Sequence, residues 1–190
     1  MKKVLLTGGS SQIGQQIKTQ CPYQIYAPTR QQLDLNDHSQ LQKIDLSAYD
    51  IMILNAGNGM SNHEKFGDND PSRIKNILDV NTISNFILIN RYIACRQSGT
   101  ILFVGSRATT TLKASNIVYS TSKLAVAKLL QSISTEYPQF NFLTVHPGKV
   151  KSRNNLQEPN RDNYIEPSDI ANKIWYMIEH NIKEIYYNEK

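Results

Sequence analysis

The 190-residue chain has few of the residues that indicate an extracellular, membrane-bound or metal-binding protein. Its two cysteines, Cys21 and Cys95, lie far apart and have no companion histidines at metal-ligand spacing, so we expect reduced thiols and no metal site. No apolar run is long enough to span a bilayer, and the three apolar residues after Lys3 are too few for a signal-peptide core. These absences predict a cytoplasmic protein without a membrane anchor.

Negative charge is also scarce: the chain has no acidic residue before Asp34, and its formal net charge is +5. The basic residues are scattered and form no run of five or more like charges. This distribution favours a solvated basic surface over a nucleic-acid-binding face. The length suits one domain with one well-buried core, so we expect a single domain over residues 1–190.

Strand-like apolar runs alternate with stretches in which apolar residues recur at helical spacing. The strand-like runs are "KVLLT", "YQIYAP", "DIMILNAG", "TILFVGS", "NFLTVHP" and "EIYY", and the clearest helical stretches cover residues 72–97, 120–137 and 167–181. This alternation predicts a doubly wound α/β domain with a parallel sheet. Ligands bind such domains outside the carboxyl ends of the strands.

The stretch "TGGSSQIG", residues 7–14, directly follows the first predicted strand and leads into a helix. Its spacing approaches the fingerprint in which glycines let backbone N–H groups approach a dinucleotide diphosphate at a helix N-terminus. Gly8 and Gly14 fit that fingerprint, whereas Gln12 stands where a glycine is usual. The same residue types also make a sharp strand-to-helix turn without any ligand, so the motif alone leaves both interpretations open.

Further polar or turn-forming groups follow the other predicted strands. They are Asn55-Ala56-Gly57, Ser106 and Pro147-Gly148. Tyr119 opens the stretch "YSTSK", and Lys123 lies four residues later, which places both on one helix face. A nearby cation stabilises phenolate, so we expect a lowered Tyr119 pKa. The four-residue spacing by itself is also typical of a surface helix that carries an ordinary Tyr and an ordinary Lys.

Taken together, these motifs resemble the short-chain dehydrogenase/reductase family over nearly the whole chain. The resemblance is carried, in chain order, by "TGGSSQIG", "NAG", Asn81, Ser106, "YSTSK" and "PGKVKS". It implies a Rossmann-like fold and hydride chemistry with a nicotinamide cofactor. In the four-residue catalytic set that it implies, Tyr119 is the general acid and Ser106 holds the substrate oxygen. Lys123 binds the nicotinamide ribose, and Asn81 anchors a water next to Lys123.

The same resemblance implies a cofactor site along the strand ends. Val150 and Ser152 match positions that contact the nicotinamide amide, and Asp34 and Leu35 match positions that touch the adenine. The full predicted set is Gly8, Ser10, Ser11, Gln12, Ile13, Gly14, Thr29, Arg30, Asp34, Leu35, Asn55, Ala56, Gly57, Tyr119, Lys123, Pro147, Gly148, Val150 and Ser152.

The second predicted strand ends in "APTR" and offers no carboxylate to the ribose hydroxyls that NAD presents. Arg30 is placed to meet a 2′-phosphate, and Thr29 could add a hydroxyl. We therefore predict NADP as the preferred cofactor, with NAD possible. The alternative is that Arg30 is an ordinary solvated residue.

Three functions fit the sequence to different degrees. The first is an NADP-dependent oxidoreductase that reduces a carbonyl, or oxidises an alcohol, on a small molecule. The second is a catalytically silent dinucleotide-binding regulator, and the third, a nucleic-acid-binding module, has only the charge in its favour. The polar segment 149–163 contains several basic residues and is typical of a lid over substrate, which would suit an anionic substrate, or of any exposed loop. His63 lies near the expected cleft. The apolar faces of the helices around Asn81 and Tyr119 resemble the dimerisation helices of the short-chain dehydrogenase/reductase family, and this resemblance implies a homodimer or homotetramer.

Overall fold

The computed structural model describes residues 1–59, 66–111, 117–158 and 160–187. The strands are β1 (Lys3–Thr7), β2 (Gln24–Tyr26), β3 (Ile51–Leu54), β4 (Gly99–Val104), β5 (Phe140–Pro147) and β6 (Glu184–Tyr187). The helices are α1 (Gln12–Thr19), α2 (His38–Leu41), α3 (Pro71–Leu78), α4 (Ser84–Cys95), α5 (Ile117–Ile133) and α6 (Pro167–His180).

The described strands form one parallel sheet in the order β2-β1-β3-β4-β5-β6. The chain moves outward from β1 to β2 and then crosses back to β3 on the other side of β1. The carboxyl ends of β1 and β3 therefore flank the point where the strand order reverses, and a crevice opens there. The predicted doubly wound architecture is confirmed, including all six strands.

Alternate residues of each central strand pack into two apolar layers, one on each face of the sheet. Leu5 and Phe103 pack toward α2, α4 and α5, whereas Leu6 and Leu102 pack toward α1 and α6. All four side chains are fully buried. Burial on both faces explains why these strands read as continuous apolar runs.

One predicted helix differs from its sequence expectation. The apolar spacing over residues 72–97 predicts a single helix, but α3 and α4 are joined by a π-helical turn, Asp79–Ile83. Such a turn widens the helix by one residue and releases carbonyls from the regular pattern. Side chains of the next turn take up two of them: Ser84 Oγ donates to the Val80 carbonyl and Asn85 Nδ2 to the Asn81 carbonyl, both at 2.7 Å.

The described residues contain no helix that is both long and apolar enough to cross a membrane. Cys21 and Cys95 are free thiols. Across the described ranges, no three or more His, Cys, Asp or Glu side chains group in a way that could hold a metal ion.

Candidate active site

The glycine turn between β1 and α1 has the close geometry that its sequence predicts. Gly8 has φ = +68°, a left-handed conformation that other residues rarely adopt. A Cβ on Gly14 would lie 2.2 Å from the Gly8 carbonyl oxygen, so a larger residue there would push α1 away from the turn. Ser11 caps α1, because its Oγ accepts a hydrogen bond from the Gly14 N–H at 3.0 Å.

Thr7 and Asn55 tie the glycine turn to the end of β3. Thr7 Oγ1 accepts hydrogen bonds from the N–H groups of Asn55 and Ala56, each at 3.1 Å. Asn55 Nδ2 donates to the Gly8 carbonyl at 2.9 Å and approaches Ser11 Oγ at 3.1 Å. Both side chains are buried, so these contacts fix the relative positions of the two strand ends.

Gln12, which replaces the middle glycine of the fingerprint, is the first residue of α1. Its side chain is partly buried, and it lines the same cleft as Tyr119 and Ser152. Its Oε1 is shielded from solvent and has no hydrogen-bond donor among the described residues. The side chain therefore narrows the cleft and presents an unpaired acceptor close to it.

Tyr119, Ser106 and Lys123 come together at the carboxyl end of β4. Tyr119 and Ser106 line the same wall of the cleft, and the Ser106 hydroxyl is close enough to lower the pKa of the Tyr119 phenol. Lys123 follows Tyr119 by one turn of α5; its Nζ donates to the Val104 carbonyl at 3.0 Å and lies 6.0 Å from the centre of the Tyr119 ring. The structure brings these three residues together at one strand end, and their catalytic roles stay a prediction.

The protonation equilibria of this group are governed by burial. Lys123 is only 3% exposed, and burial lowers its pKa to about 8. Burial also raises the pKa of the Tyr119 phenol, and the Ser106 hydroxyl offsets part of that rise. The expected lowering of the Tyr119 pKa by Lys123 is thus not found: desolvation is the largest influence on the phenol, and the opposing influence comes from Ser106.

Asn81, which the resemblance implies anchors a water next to Lys123, lies close to that side chain: a Cβ built on Gly57 would be 3.3 Å from Asn81 Oδ1 and 2.9 Å from Lys123 Nζ. Asn81 is fully buried in the π-helical turn and lines neither part of the cleft. Its Oδ1 accepts from the Asn58 N–H at 2.7 Å, while its Nδ2 donates to the Asn58 carbonyl and to Ser122 Oγ, both at 3.0 Å. Asn81 therefore positions the loop after β3 against α5.

The crevice along the strand ends has two halves, of about 300 and 310 Å³. The first, which we call the nicotinamide half after the part of the cofactor that the sequence resemblance predicts there, is lined by Ser11, Gln12, Ile13, Asn55, Gly57, Gly59, Val104, Gly105, Ser106, Tyr119, Lys123, Pro147, Gly148, Val150, Lys151 and Ser152. The second, the adenosine half, is lined by Thr7, Gly8, Ser10, Ser11, Pro28, Arg30, Leu33, Asp34, Leu35, Asn36, Asn55, Ala56, Gly57, Asn58 and Val80. Ser11, Asn55 and Gly57 line both halves, so the crevice is continuous.

Most of the predicted cofactor residues line this crevice, but Gly14 and Thr29 do not. Gly14 lies behind the turn, and the Thr29 hydroxyl donates to Gln32 Oε1 at 3.1 Å. The sequence prediction missed several lining residues that follow strand ends, among them Pro28, Asn36, Asn58 and Lys151. Asn58 could have been found, because it directly follows the "NAG" turn.

Arg30 lies at the outer end of the adenosine half, with its side chain 76% exposed. Its Nε donates to Asp34 Oδ2 at 3.3 Å. The pKa of Asp34 is lowered, mainly because its carboxylate accepts the Asn36 N–H and in smaller part because of Arg30. The site thus presents a guanidinium and a carboxylate side by side.

The predicted lid segment is held together by charged contacts. Lys149 Nζ donates to Glu158 at 2.8 Å and to the Tyr164 hydroxyl at 2.7 Å, and Lys151 pairs with Glu166. Two of the cations in this segment therefore have carboxylate partners. This pairing weakens the argument that the segment was built for an anionic substrate.

His146, at the carboxyl end of β5, has side-chain contacts directly behind Ser106. Its ring is buried, with Nδ1 at 3.3 Å from the Ser106 carbonyl oxygen and Nε2 at 2.9 Å from Glu184. The ring also stacks on Tyr186 with centroids 4.4 Å apart. His63 and residues 112–116 lie outside the described part of the chain, so the expectation about His63 stays a prediction.

Comparison with known proteins identifies the family. A sequence model of the family described as short chain dehydrogenase matches residues 29–163 of this chain. The chain belongs to the short-chain dehydrogenase family. The match begins after the glycine turn, so the departure at Gln12 lies outside it. Membership confirms the resemblance and makes the protein a member of an oxidoreductase family.

A curated short-chain dehydrogenase, the (21S)-21-acetoxyl-apo-melianone synthase of Melia azedarach, is 33% identical over 94 residues. The aligned region covers 48% of this chain and 35% of that protein, so the chain matches about a third of the relative's length.

Solved structures of other dehydrogenases and reductases share the fold at low sequence identity. One from Burkholderia cenocepacia in complex with NADP has a TM-score of 0.84 at 16% identity, covering 98% of this chain and 88% of that one. A 3-ketoacyl-(acyl-carrier-protein) reductase from Brucella melitensis complexed with NADH has a TM-score of 0.86 at 14% identity, covering 97% and 96%. An alcohol dehydrogenase from Thermococcus sibiricus complexed with 5-hydroxy-NADP has a TM-score of 0.79 at 18% identity, and the match covers 100% of this chain and 97% of that one.

Proposed function

We propose that this short-chain dehydrogenase is an NADP-dependent oxidoreductase that reduces a carbonyl, or oxidises an alcohol, on a small molecule. The observation that carries the proposal is the approach of the Tyr119 phenol to the Ser106 hydroxyl beside the buried Lys123, at the wall of the nicotinamide half. A phenol next to a hydroxyl can hold a carbonyl oxygen and give it a proton. Two structural neighbours with the same fold were solved with NADP or an NADP derivative.

The crevice fits a dinucleotide. The N–H groups of Gln12 and Ile13, at the first turn of α1, have no preceding turn to bond to and lie at the positive end of the helix. Both residues line the nicotinamide half next to the Ser11 junction, where a diphosphate between the two halves would sit. When bound, the nicotinamide supplies or accepts the hydride.

The chain's own residues supply the proton chemistry. Tyr119 gives its proton to the carbonyl oxygen that Ser106 holds, and takes it back in the opposite direction. Lys123, with its Nζ 6.0 Å from the centre of the Tyr119 ring, limits the cost of the buried phenolate that remains without bringing the pKa of the phenol below its ordinary value. Asn81 keeps the loop after β3 in register with α5, so that the wall of the cleft stays in place around these groups.

Arg30 supports NADP over NAD because its guanidinium is exposed at the adenosine half. Within the described part of the chain, the guanidinium donates to Asp34 through Nε. The remaining N–H groups can pair with a 2′-phosphate. We expect NADPH to bind about tenfold more tightly than NADH. Arg30→Ala should remove most of this preference, and a fluorescence titration with both cofactors measures it.

Lys18→Ala, which changes an exposed cation on α1, is the control and should keep the preference. Equal affinities for NADPH and NADH in the unaltered protein would contradict the assignment of Arg30. In that case the carboxylate of Asp34, beside Arg30, would be the group to test for ribose recognition.

A catalytically silent dinucleotide-binding protein is the second candidate, and Gln12 is the observation that favours it. The side chain of Gln12 occupies space in the nicotinamide half that a glycine would leave open. A silent protein would bind NADPH but show no turnover with any carbonyl compound, and it would not respond to changes at Tyr119.

A further inference from the structure

Three asparagine side chains form a chain of hydrogen bonds along the outer edge of the adenosine half. Asn58 Nδ2, in the loop after β3, donates to Asn76 Oδ1 on α3 at 2.7 Å. Asn76 Nδ2 donates in turn to Asn36 Oδ1, in the loop before α2, at 3.1 Å. Asn36 and Asn58 line the adenosine half, whereas Asn76 is exposed and does not.

One end of this asparagine chain reaches the groups that face the adenosine. Asn36 donates its backbone N–H and its Nδ2 to Asp34 Oδ1, at 3.0 and 3.3 Å. The other carboxylate oxygen of Asp34 accepts from Arg30. Asn76 is thus two side chains away from the residue proposed to meet the 2′-phosphate.

The other end reaches the catalytic helix. The backbone N–H and carbonyl of Asn58 are both bonded to the Asn81 side chain, whose Nδ2 also donates to Ser122 Oγ. Ser122 Oγ donates to the Tyr119 carbonyl at 2.7 Å. Contiguous hydrogen bonds therefore join the backbone of Tyr119 to the carboxylate of Asp34.

The three side-chain amides all point in the same direction, each donating toward Asp34. Reversing any one of them would set two acceptors or two donors against each other, so each amide fixes the orientation of the next. Aligned amides that end on a carboxylate also polarise one another and strengthen each bond.

We propose that Asn76 is a positioning residue that couples the loop after β3, through Asn58, to the loop that carries Asp34 and Arg30, through Asn36. It holds Asn36 and Asn58 in the geometry of the bound state before the nucleotide arrives, and so removes part of the ordering cost of binding. The proposal rests on the proposed function, since it takes the occupant of the crevice to be a dinucleotide. Asn76 lines neither half, so its effect passes through its two neighbours.

Two substitutions separate this role from a general effect on folding. Asn76→Ala removes both bonds but places a better helix former on an exposed position of α3, so the melting temperature should not fall. Asn76→Asp keeps the acceptor for Asn58 but puts an oxygen against Asn36 Oδ1. Asn172 is an exposed asparagine on α6, at the opposite face of the sheet, and its Ala and Asp variants are matched controls.

The experiment is a titration of each protein with NADPH and with NADH, alone and combined with Arg30→Ala. Asn76→Ala should weaken the binding of both nucleotides about threefold to tenfold, and Asn76→Asp should weaken it more. Arg30→Ala should reduce NADPH affinity by a smaller factor in the Asn76→Ala background than in the unaltered protein. The reason is that the Arg30 guanidinium is already less well placed once Asn76 is removed. The Asn172 variants should bind both nucleotides as tightly as the unaltered protein does. Combined with Arg30→Ala, they should leave the loss in NADPH affinity caused by Arg30→Ala unchanged.

Unchanged affinity in both Asn76 variants, with normal binding by the unaltered protein, would overturn this inference alone. If the losses in NADPH binding free energy caused by Asn76→Ala and by Arg30→Ala were strictly additive in the double variant, the proposed coupling would be overturned. Failure of the unaltered protein to bind either nucleotide would instead contradict the proposed function, and the inference with it.

Discussion

At the scale of single residues, Lys123 has the most unusual environment in the site. Its ammonium lies between the Phe103 ring, at 5.0 Å, and the Val104 carbonyl, at 3.0 Å. The sequence predicts the partnership with Tyr119, because a spacing of four residues on a helix is a local property. The sequence could not predict the direction of the Tyr119 pKa shift, because the desolvation comes from β4 and from other segments distant along the chain.

The buried Lys123 should make the stability of the protein depend on pH in the unliganded state. Its pKa is about 8 in the folded protein against an ordinary value of 10.5, so the unfolded chain binds more protons between these values. Stability therefore rises with pH across this window, by about 3 kcal/mol in total. Lys123→Met should remove that rise and should stabilise the protein most at pH 7.

Urea unfolding at pH 7, 8.5 and 10 tests this expectation, with Lys128→Met, an exposed lysine on the same helix, as the control. The difference in unfolding free energy between Lys123→Met and the unaltered protein should shrink as the pH increases. A difference that stays constant with pH would show that Lys123 is not held in a desolvated site.

At the scale of elements, the turn between β1 and α1 depends on the contact of Gly14 with Gly8. Gly14 was predicted as a cofactor residue, and its position behind the turn suggests that it acts through packing. The π-helical turn at Asp79–Ile83 was not predictable, because α3 and α4 keep the apolar spacing of one regular helix on either side of it. Only the tertiary contacts of Asn81 with Asn58 and Ser122 distinguish the two arrangements.

Gly14→Ala should therefore shift α1 and weaken both folding and nucleotide binding. The new Cβ would meet the Gly8 carbonyl oxygen at 2.2 Å, and backbone atoms can relieve such a contact only by moving. We expect a loss of about 1–3 kcal/mol in unfolding free energy, together with weaker NADPH binding.

Gly67→Ala is the matched control, because a Cβ there would meet no atom of the described residues within 4 Å, and it should leave both quantities unchanged. If the Gly14→Ala variant bound NADPH as tightly as the unaltered protein and unfolded at the same denaturant concentration, the close packing of α1 on the turn would contribute to neither stability nor binding.

At the scale of the whole molecule, the order of strands and helices was predictable, because both periodicities are visible in the sequence. The asparagine chain was not, since Asn36, Asn58 and Asn76 lie in separate segments and no local pattern connects them. Assembly also lies beyond the described single chain. Ile83 and Leu124 are 40% and 50% exposed on adjoining helical segments, and such apolar exposure favours the homo-oligomer that the sequence predicts.

If these helices form the contact between copies, Leu124→Glu should convert the oligomer to a monomer, because a charge would be buried in an apolar interface. Asn172→Glu on α6 should leave the assembly intact. Sedimentation velocity measures both, and a monomeric unaltered protein would contradict the expectation.

The central claim, that Tyr119 transfers a proton in an NADP-dependent reaction, is tested most directly by Tyr119→Phe. The measurement pairs NADPH oxidation over a panel of carbonyl compounds with a titration of NADPH affinity, for the unaltered protein and the variant. The phenyl ring keeps the packing, so affinity should change by no more than about twofold, while turnover should fall by about 10² to 10⁴. Near-normal turnover by Tyr119→Phe would contradict the mechanism, and NADPH binding without turnover by the unaltered protein would favour the silent dinucleotide-binding protein instead.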